Sequence, residues 1–237
     1  MDQLLVALDV ESGERALDLA ARLKGIVGGV KVGKRLFTLE GPALVRRFVD
    51  GGHRVFLDLK FHDIPNTVSQ AVDAAVQTGA WIINVHASGG AAMMKAAAQA
   101  GREAAARLGR PQPLLIGVTV LTSMDEAALA QVGVQRPLLD QVLGLATLAQ
   151  EAGLDGVVAS PRETEAIRRA CGPSFAIVTP GVRGASAGGS RNDQARTMSP
   201  AEAIRAGASY IVVGRPIIAA PDPRAAAESI AAELAAV

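Results

Sequence analysis

Short apolar runs of strand character recur along the chain, and segments whose apolar residues return at helical spacing separate them. Strands are expected near Leu4–Asp9, Val27–Val32, Arg54–Lys60, Trp81–His86, Leu114–Val120, Gly156–Ala159, Ala176–Thr179 and Tyr210–Val213. Within them the apolar residues are nearly continuous, the pattern of parallel strands covered on both faces. Ala16, Leu19, Ala20 and Leu23 form one helical stripe, and Ile64, Val68, Val72 and Val76 form another. Glycines fall where helices should end, at Gly51–Gly52, Gly79, Gly153 and Gly207. Eight β–α alternations in 237 residues favour a TIM (β/α)8 barrel over an open doubly wound sheet, as one α/β domain spanning 1–237. The single low-complexity stretch, residues 181–198, lies between the seventh strand and the next helix. A loop of that length inside a compact domain is usually functional, and here it is expected to be a lid over a ligand.

Composition narrows the class. Hydrophobic residues make up 49% of the chain but aromatics only 3%, so Ala, Val, Leu and Ile must build the core. The net charge of +1, with no basic block, argues against a nucleic-acid partner. A lone cysteine, Cys171, excludes an internal disulfide and suits a reducing compartment; it is expected to be an inert thiol at a helix end. Asp2 and Gln3 stand where a secretory leader would be basic, and no apolar run approaches the ~18 residues of a membrane span. A soluble, cytoplasmic protein without a membrane partner is expected.

In a barrel of this kind the chemistry sits at the C-terminal ends of the strands, and polar residues collect there. The third strand runs into Asp58-Leu-Lys-Phe-His-Asp-Ile-Pro65. Side chains alternate along a strand, so Asp58 and Lys60 should share a face. Alone, the string would also suit a buried Asp–Lys pair with Asp63 capping the next helix. Its neighbours on the rim argue for more: Asp9 ending the first strand, Lys31 ending the second, Asn84 and His86 ending the fourth, Thr119 and Thr122 following the fifth, and Arg183 following the seventh. His86 also reads as a satisfied core histidine. Gly214-Arg215 after the eighth strand suits phosphate, through backbone N–H groups and a guanidinium. A lysine flanked by carboxylates keeps its proton, which makes Lys60 a proton donor rather than a Schiff-base nucleophile. Such an ammonium suits a reaction that generates a carbanion beside it. No metal constellation is evident, and the histidines lack ligand spacing.

The motifs of this chain, in order, resemble those of the orotidine 5′-phosphate decarboxylases. They are Leu4–Asp9, Lys31-Val-Gly33, Phe56–Thr67, Val118–Ser123, Thr179-Pro-Gly-Val-Arg183, Asp193-Gln194 and Val213-Gly-Arg-Pro216. The resemblance implies cofactor-free decarboxylation of the nucleotide to UMP, the last step of de novo pyrimidine synthesis. It further implies Asp9 and Lys31 on the ribose, Asp58 beside the departing carboxylate, Lys60 as proton donor to C6, and Thr122 at the pyrimidine edge. Gln194, Gly214 and Arg215 would hold the phosphate, with Arg183 on the closing loop. Asp63 and Thr67 would reach into the partner's site of a homodimer. Arg191-Asn192 precedes Asp193 where many members have glycine. Two alternatives stay open on the same barrel: a metal-dependent sugar-phosphate decarboxylase or synthase, and a non-catalytic sensor of phosphorylated ligands.

Overall fold

The computed structural model describes residues 2–182 and 198–237. Eight parallel strands close into a barrel in sequence order: β1 Leu4–Ala7, β2 Gly29–Gly33, β3 Val55–Phe61, β4 Ile82–His86, β5 Leu114–Val118, β6 Gly156–Val158, β7 Ala176–Pro180 and β8 Tyr210–Val213, with β8 pairing back onto β1. The helices between them include α1 Gly13–Leu23, α2 Lys34–Asp50, α3 Pro65–Gln77 and α4 Gly90–Leu108. After β5 come α5 Glu126–Gln131 and α6 Leu138–Glu151, then α7 Thr164–Cys171, α8 Pro200–Arg205, α9 Arg215–Ile218 and α10 Pro223–Ala235. The expected (β/α)8 barrel is therefore the fold.

Two apolar layers hold it together. Inside the barrel, Leu5, Phe56, Ile82, Ile116 and Val178 pack against one another. Between strands and helices lies a larger layer that takes up the α1 stripe of Ala16, Leu19, Ala20 and Leu23. The strands feed the two layers by alternation: on β3, Val55 and Leu57 face the helices while Phe56 faces inward. This explains why the strand sequences are continuously apolar. At the N-terminal end the barrel is stoppered by Trp81 and Tyr210, edge to face at 5.1 Å, with the Arg54 guanidinium 4.4 Å over the indole. The opposite, C-terminal mouth is the open one.

Local features follow from the sequence. Gly79 and Gly207 leave their helices at φ 84 and 102, left-handed conformations in which a β-carbon would be strained. Where β6 meets β7, a β-carbon on Gly156 would lie 2.1 Å from the Ala176 carbonyl oxygen, so only glycine admits this approach. In α2 the axis breaks at Gly41 (φ 67), ahead of Pro42, which has no N–H to continue the ladder. The α3 stripe is shorter than its periodicity predicts: Val68, Val72 and Val76 are buried, but Ile64 is the N-cap residue and is 65% exposed. Among the described residues no helix is long and apolar enough to cross a membrane.

Candidate active site

The C-terminal mouth opens into a cavity of about 770 Å3, within the range of sites that enclose small ligands. Asp9, Lys31, Asp58, Lys60, Thr122, Gly214 and Arg215 all line it, together with Pro180, Gly181 and Val182 after β7. Seven of the residues singled out from the sequence thus converge on one wall-to-wall space.

At its floor lies a charge array. Asp58 receives Lys60 Nζ on Oδ1 at 2.5 Å and Lys31 Nζ on Oδ2 at 3.2 Å, and the Asn84 amide donates to Oδ1 at 2.7 Å. Lys31 also lies 3.3 Å from Asp9. These two contacts of Lys31 differ in weight. The Asp58 side chain is 13% exposed and that of Asp9 is 62% exposed, so solvent screens the second far more than the first. Asp58 is the principal counter-ion of both lysines. Burial pushes the Asp58 carboxyl up, but Lys31, Lys60 and the donors on its oxygens outweigh burial and hold it below its ordinary value of 3.8. The carboxylate is charged at neutral pH and cannot serve as a proton donor there.

The backbone delivering these groups is not a regular strand. Leu57 pairs with Ile83 and Phe61 with Val85, four steps along β3 against two along β4. Lys60 sits at φ 56, the one non-glycine with positive φ among the described residues. Asp58 and Lys60 do meet at the mouth, as alternation predicts, but through this irregularity. Lys31 lies in the middle of β2 rather than at its end, and β1 stops at Ala7, so Asp9 stands on the loop beyond it.

Other candidates are placed differently. Asp63 and Thr67 are exposed and lie outside the lining of their own barrel's cavity. Asp63 does not cap α3; its Oδ1 accepts the N–H of Ile64 at 2.7 Å. Thr119 is buried and donates its hydroxyl to the Val158 carbonyl, a structural use. His86 lies outside the cavity lining, with its ring 5.4 Å from that of His62. Burial, then His62, Lys34 and Lys60, pull its pKa down to about 4, so it is neutral at pH 7. Cys171 ends α7, buried, with burial pushing its thiol up, as suits an inert group. Arg183 and Gln194 lie outside the described residues, as does most of the 181–198 stretch. Its two ends meet in a bridge between Val182 and Met198, at the edge of the cavity. Sequence reasoning put Asn84 on the rim but gave it no role. It is fully buried and bonded to both members of the central pair.

Fold and array together define the class: a single-domain (β/α)8 barrel with its chemistry-bearing groups at the C-terminal mouth. Residues 2–230 match the orotidine 5′-phosphate decarboxylase / HUMPS family, and the chain belongs to that family. It is 59% identical to the orotidine 5′-phosphate decarboxylase of Moorella thermoacetica, over 98% of this chain and 92% of the relative. It is 57% identical to that of Syntrophotalea carbinolica, over 99% and 95%. The crystal structure of the Lactobacillus acidophilus orotidine 5′-phosphate decarboxylase superposes with a TM-score of 0.86 at 37% identity, covering 98% of each chain.

Proposed function

We propose that this barrel decarboxylates orotidine 5′-phosphate to UMP and CO2 without a metal or organic cofactor, in the cytoplasm, as the closing step of pyrimidine nucleotide synthesis. The observation that carries the reading is the Lys31–Asp58–Lys60 array at the cavity floor. The substrate's C6–carboxyl bond breaks, CO2 leaves, and the electron pair stays on C6. The Lys60 ammonium faces that developing charge, stabilises it, and transfers a proton to C6; solvent then reprotonates the amine. Asp58 stands against the departing carboxylate and holds Lys60 in place.

The remaining roles follow the cavity. Asp9 and Lys31 take the ribose hydroxyls, and Thr122 takes the pyrimidine edge. Gly214 and Arg215, beside the β7 loop, take the phosphate, joined by Gln194, with Arg183 on the closing segment formed by 181–198. Contacts to the phosphate, remote from C6, supply binding energy that draws this segment over the substrate. Asp63 and Thr67, exposed on their own barrel, complete the site of a second copy in a homodimer.

A metal-dependent sugar-phosphate enzyme of the same barrel is disfavoured by the occupancy of Asp58. Both its oxygens are engaged by ammonium groups, which repel a divalent cation from the carboxylate it would need. The test follows the loss of orotidine 5′-phosphate absorbance with purified protein, with and without EDTA, beside Lys60→Ala. Turnover that EDTA leaves intact, and that Lys60→Ala abolishes while UMP still binds, is the expected result. Loss of activity in EDTA, or substantial decarboxylation by Lys60→Ala, overturns the reading.

A further inference from the structure

A charged side chain delivers a proton efficiently only if its backbone is fixed, and here the backbone of the proton donor is the least regular point of the barrel. Around Lys60 the β3–β4 pairing loses register, so the ladder that fixes a strand residue is interrupted there. Lys60 also occupies φ 56, a conformation that L-residues with a β-carbon adopt only when their surroundings impose it. Its N–H goes to a side chain, the Asn84 carbonyl oxygen, at 2.8 Å. The other end of the same amide donates to Asp58 Oδ1 at 2.7 Å, the oxygen that also receives Lys60 Nζ.

Chemistry fixes how this amide is turned. A backbone N–H needs an acceptor and a carboxylate needs a donor, so Oδ1 must face Lys60 and Nδ2 must face Asp58. Asn84 shares the inner face of β4 with Ile82 and is fully buried, without solvent to substitute for either bond. Asparagine is also the side chain whose reach and polarity meet both demands. Aspartate would set a second carboxylate against Asp58, leucine would satisfy neither group, and glutamine would bring an extra methylene into a fully buried position.

We propose that Asn84 is a positioning residue for the reaction: one amide locks the strained backbone of Lys60 and the carboxylate of Asp58 into a single rigid unit. It touches neither substrate nor the reacting atoms. It acts by fixing the distance and direction of the ammonium relative to C6. The inference rests on the reading of Lys60 as the proton donor to that carbon.

Two near-isosteric variants test it. Asn84→Leu removes both bonds; with the ammonium displaced by about 1 Å, kcat should fall about 100-fold. KM and the affinity for UMP should stay within about threefold, because ground-state binding is untouched. Asn84→Asp keeps the acceptor for the Lys60 N–H but places a like charge against Asp58. It should lower kcat and move the acid limb of the kcat/KM profile to higher pH. If Asn84→Leu fails to fold, Asn84→Asp decides alone. A wild-type kcat in Asn84→Leu, a loss of UMP affinity matching its loss of kcat, or a wild-type rate and pH profile in Asn84→Asp overturns the proposal. Wild-type protein and Lys60→Ala run alongside. Inactivity of the wild type would mean that the decarboxylase reading has failed, whereas an active wild type, a dead Lys60→Ala and an unaffected Asn84 pair would sink only the positioning role.

Discussion

Replacing Asp58 by asparagine isolates the charge at the centre of the array while keeping its shape. In the native protein this carboxylate lies 3.2 Å from Lys31 Nζ and 2.5 Å from Lys60 Nζ, and its side chain is 13% exposed. At an effective dielectric near 20, attraction to one lysine at about 3 Å is worth about 5 kcal/mol before desolvation. Desolvation of the three charges offsets much of that, and removing one partner of a buried pair typically costs about 3–5 kcal/mol because the remaining charges stay behind uncompensated. Lys31 retains only the screened Asp9, and Lys60, with a side chain 24% exposed, can turn toward water. Asp58→Asn should therefore fall near the lower end, about 3 kcal/mol, or a drop in Tm of roughly 6–12 °C for a chain of this size. Urea and thermal unfolding of both proteins at pH 7 measure it. The pH dependence supplies a second check. The folded carboxyl titrates below its ordinary value of 3.8, so its contribution is complete above that value and is lost as the pH falls through the lower, folded one. The gap between wild type and Asp58→Asn should stay constant from pH 7 to about 5 and close only in stronger acid. A gap under about 1 kcal/mol at pH 7, or one that widens on acidification, would refute the assignment of Asp58 as counter-ion to both lysines.

Two further outcomes test the rest of the site. Arg215→Ala should raise KM for orotidine 5′-phosphate about 10- to 100-fold, the worth of a charged hydrogen bond to phosphate, and near wild-type KM in steady-state kinetics would contradict the phosphate assignment. If Asp63 serves the partner's site, mixing inactive Lys60→Ala and Asp63→Ala dimers should restore about a quarter of wild-type activity, since half the dimers are hybrids and each hybrid has one intact site of two. No recovery after proven subunit exchange would return Asp63 to its own barrel.

The barrel was legible in the sequence because it rests on periodicity. Near-continuous apolar strands recur eight times, most of them preceded by a glycine at a helix exit, and an error at one repeat does not change the closed result. The limits of that legibility are at element ends, where periodicity gives out. Ile64 continues the stripe of Val68, Val72 and Val76 by spacing, yet it lies one residue before Pro65, where α3 begins, and so is exposed. Asp9 extends the apolar run of β1 but has no register partner on β2, where pairing stops at Ala7 and Lys31.

The site was legible in part for a different reason. Lysines and aspartates at the C-terminal ends of strands must face the mouth or pay for burial, so listing them recovers the array whatever the backbone does. The backbone itself carries no such signal. Strict alternation puts Asp58 and Lys60 on one face of a regular strand, and the two do meet, but across two residues more than β4 contributes and through a lysine at φ 56. Left-handed backbone is usually foretold by glycine or asparagine at the position itself. Here the asparagine stands 24 residues away, on the next strand, and supplies through its side chain the acceptor that the broken ladder withholds. A lysine in strained backbone beside a fully buried asparagine is a local inconsistency that the fold alone would not select, and inconsistencies of this kind concentrate where function requires them. The same reasoning makes Asn84, rather than any of the charged residues, the position where a conservative substitution should separate catalysis from binding most cleanly.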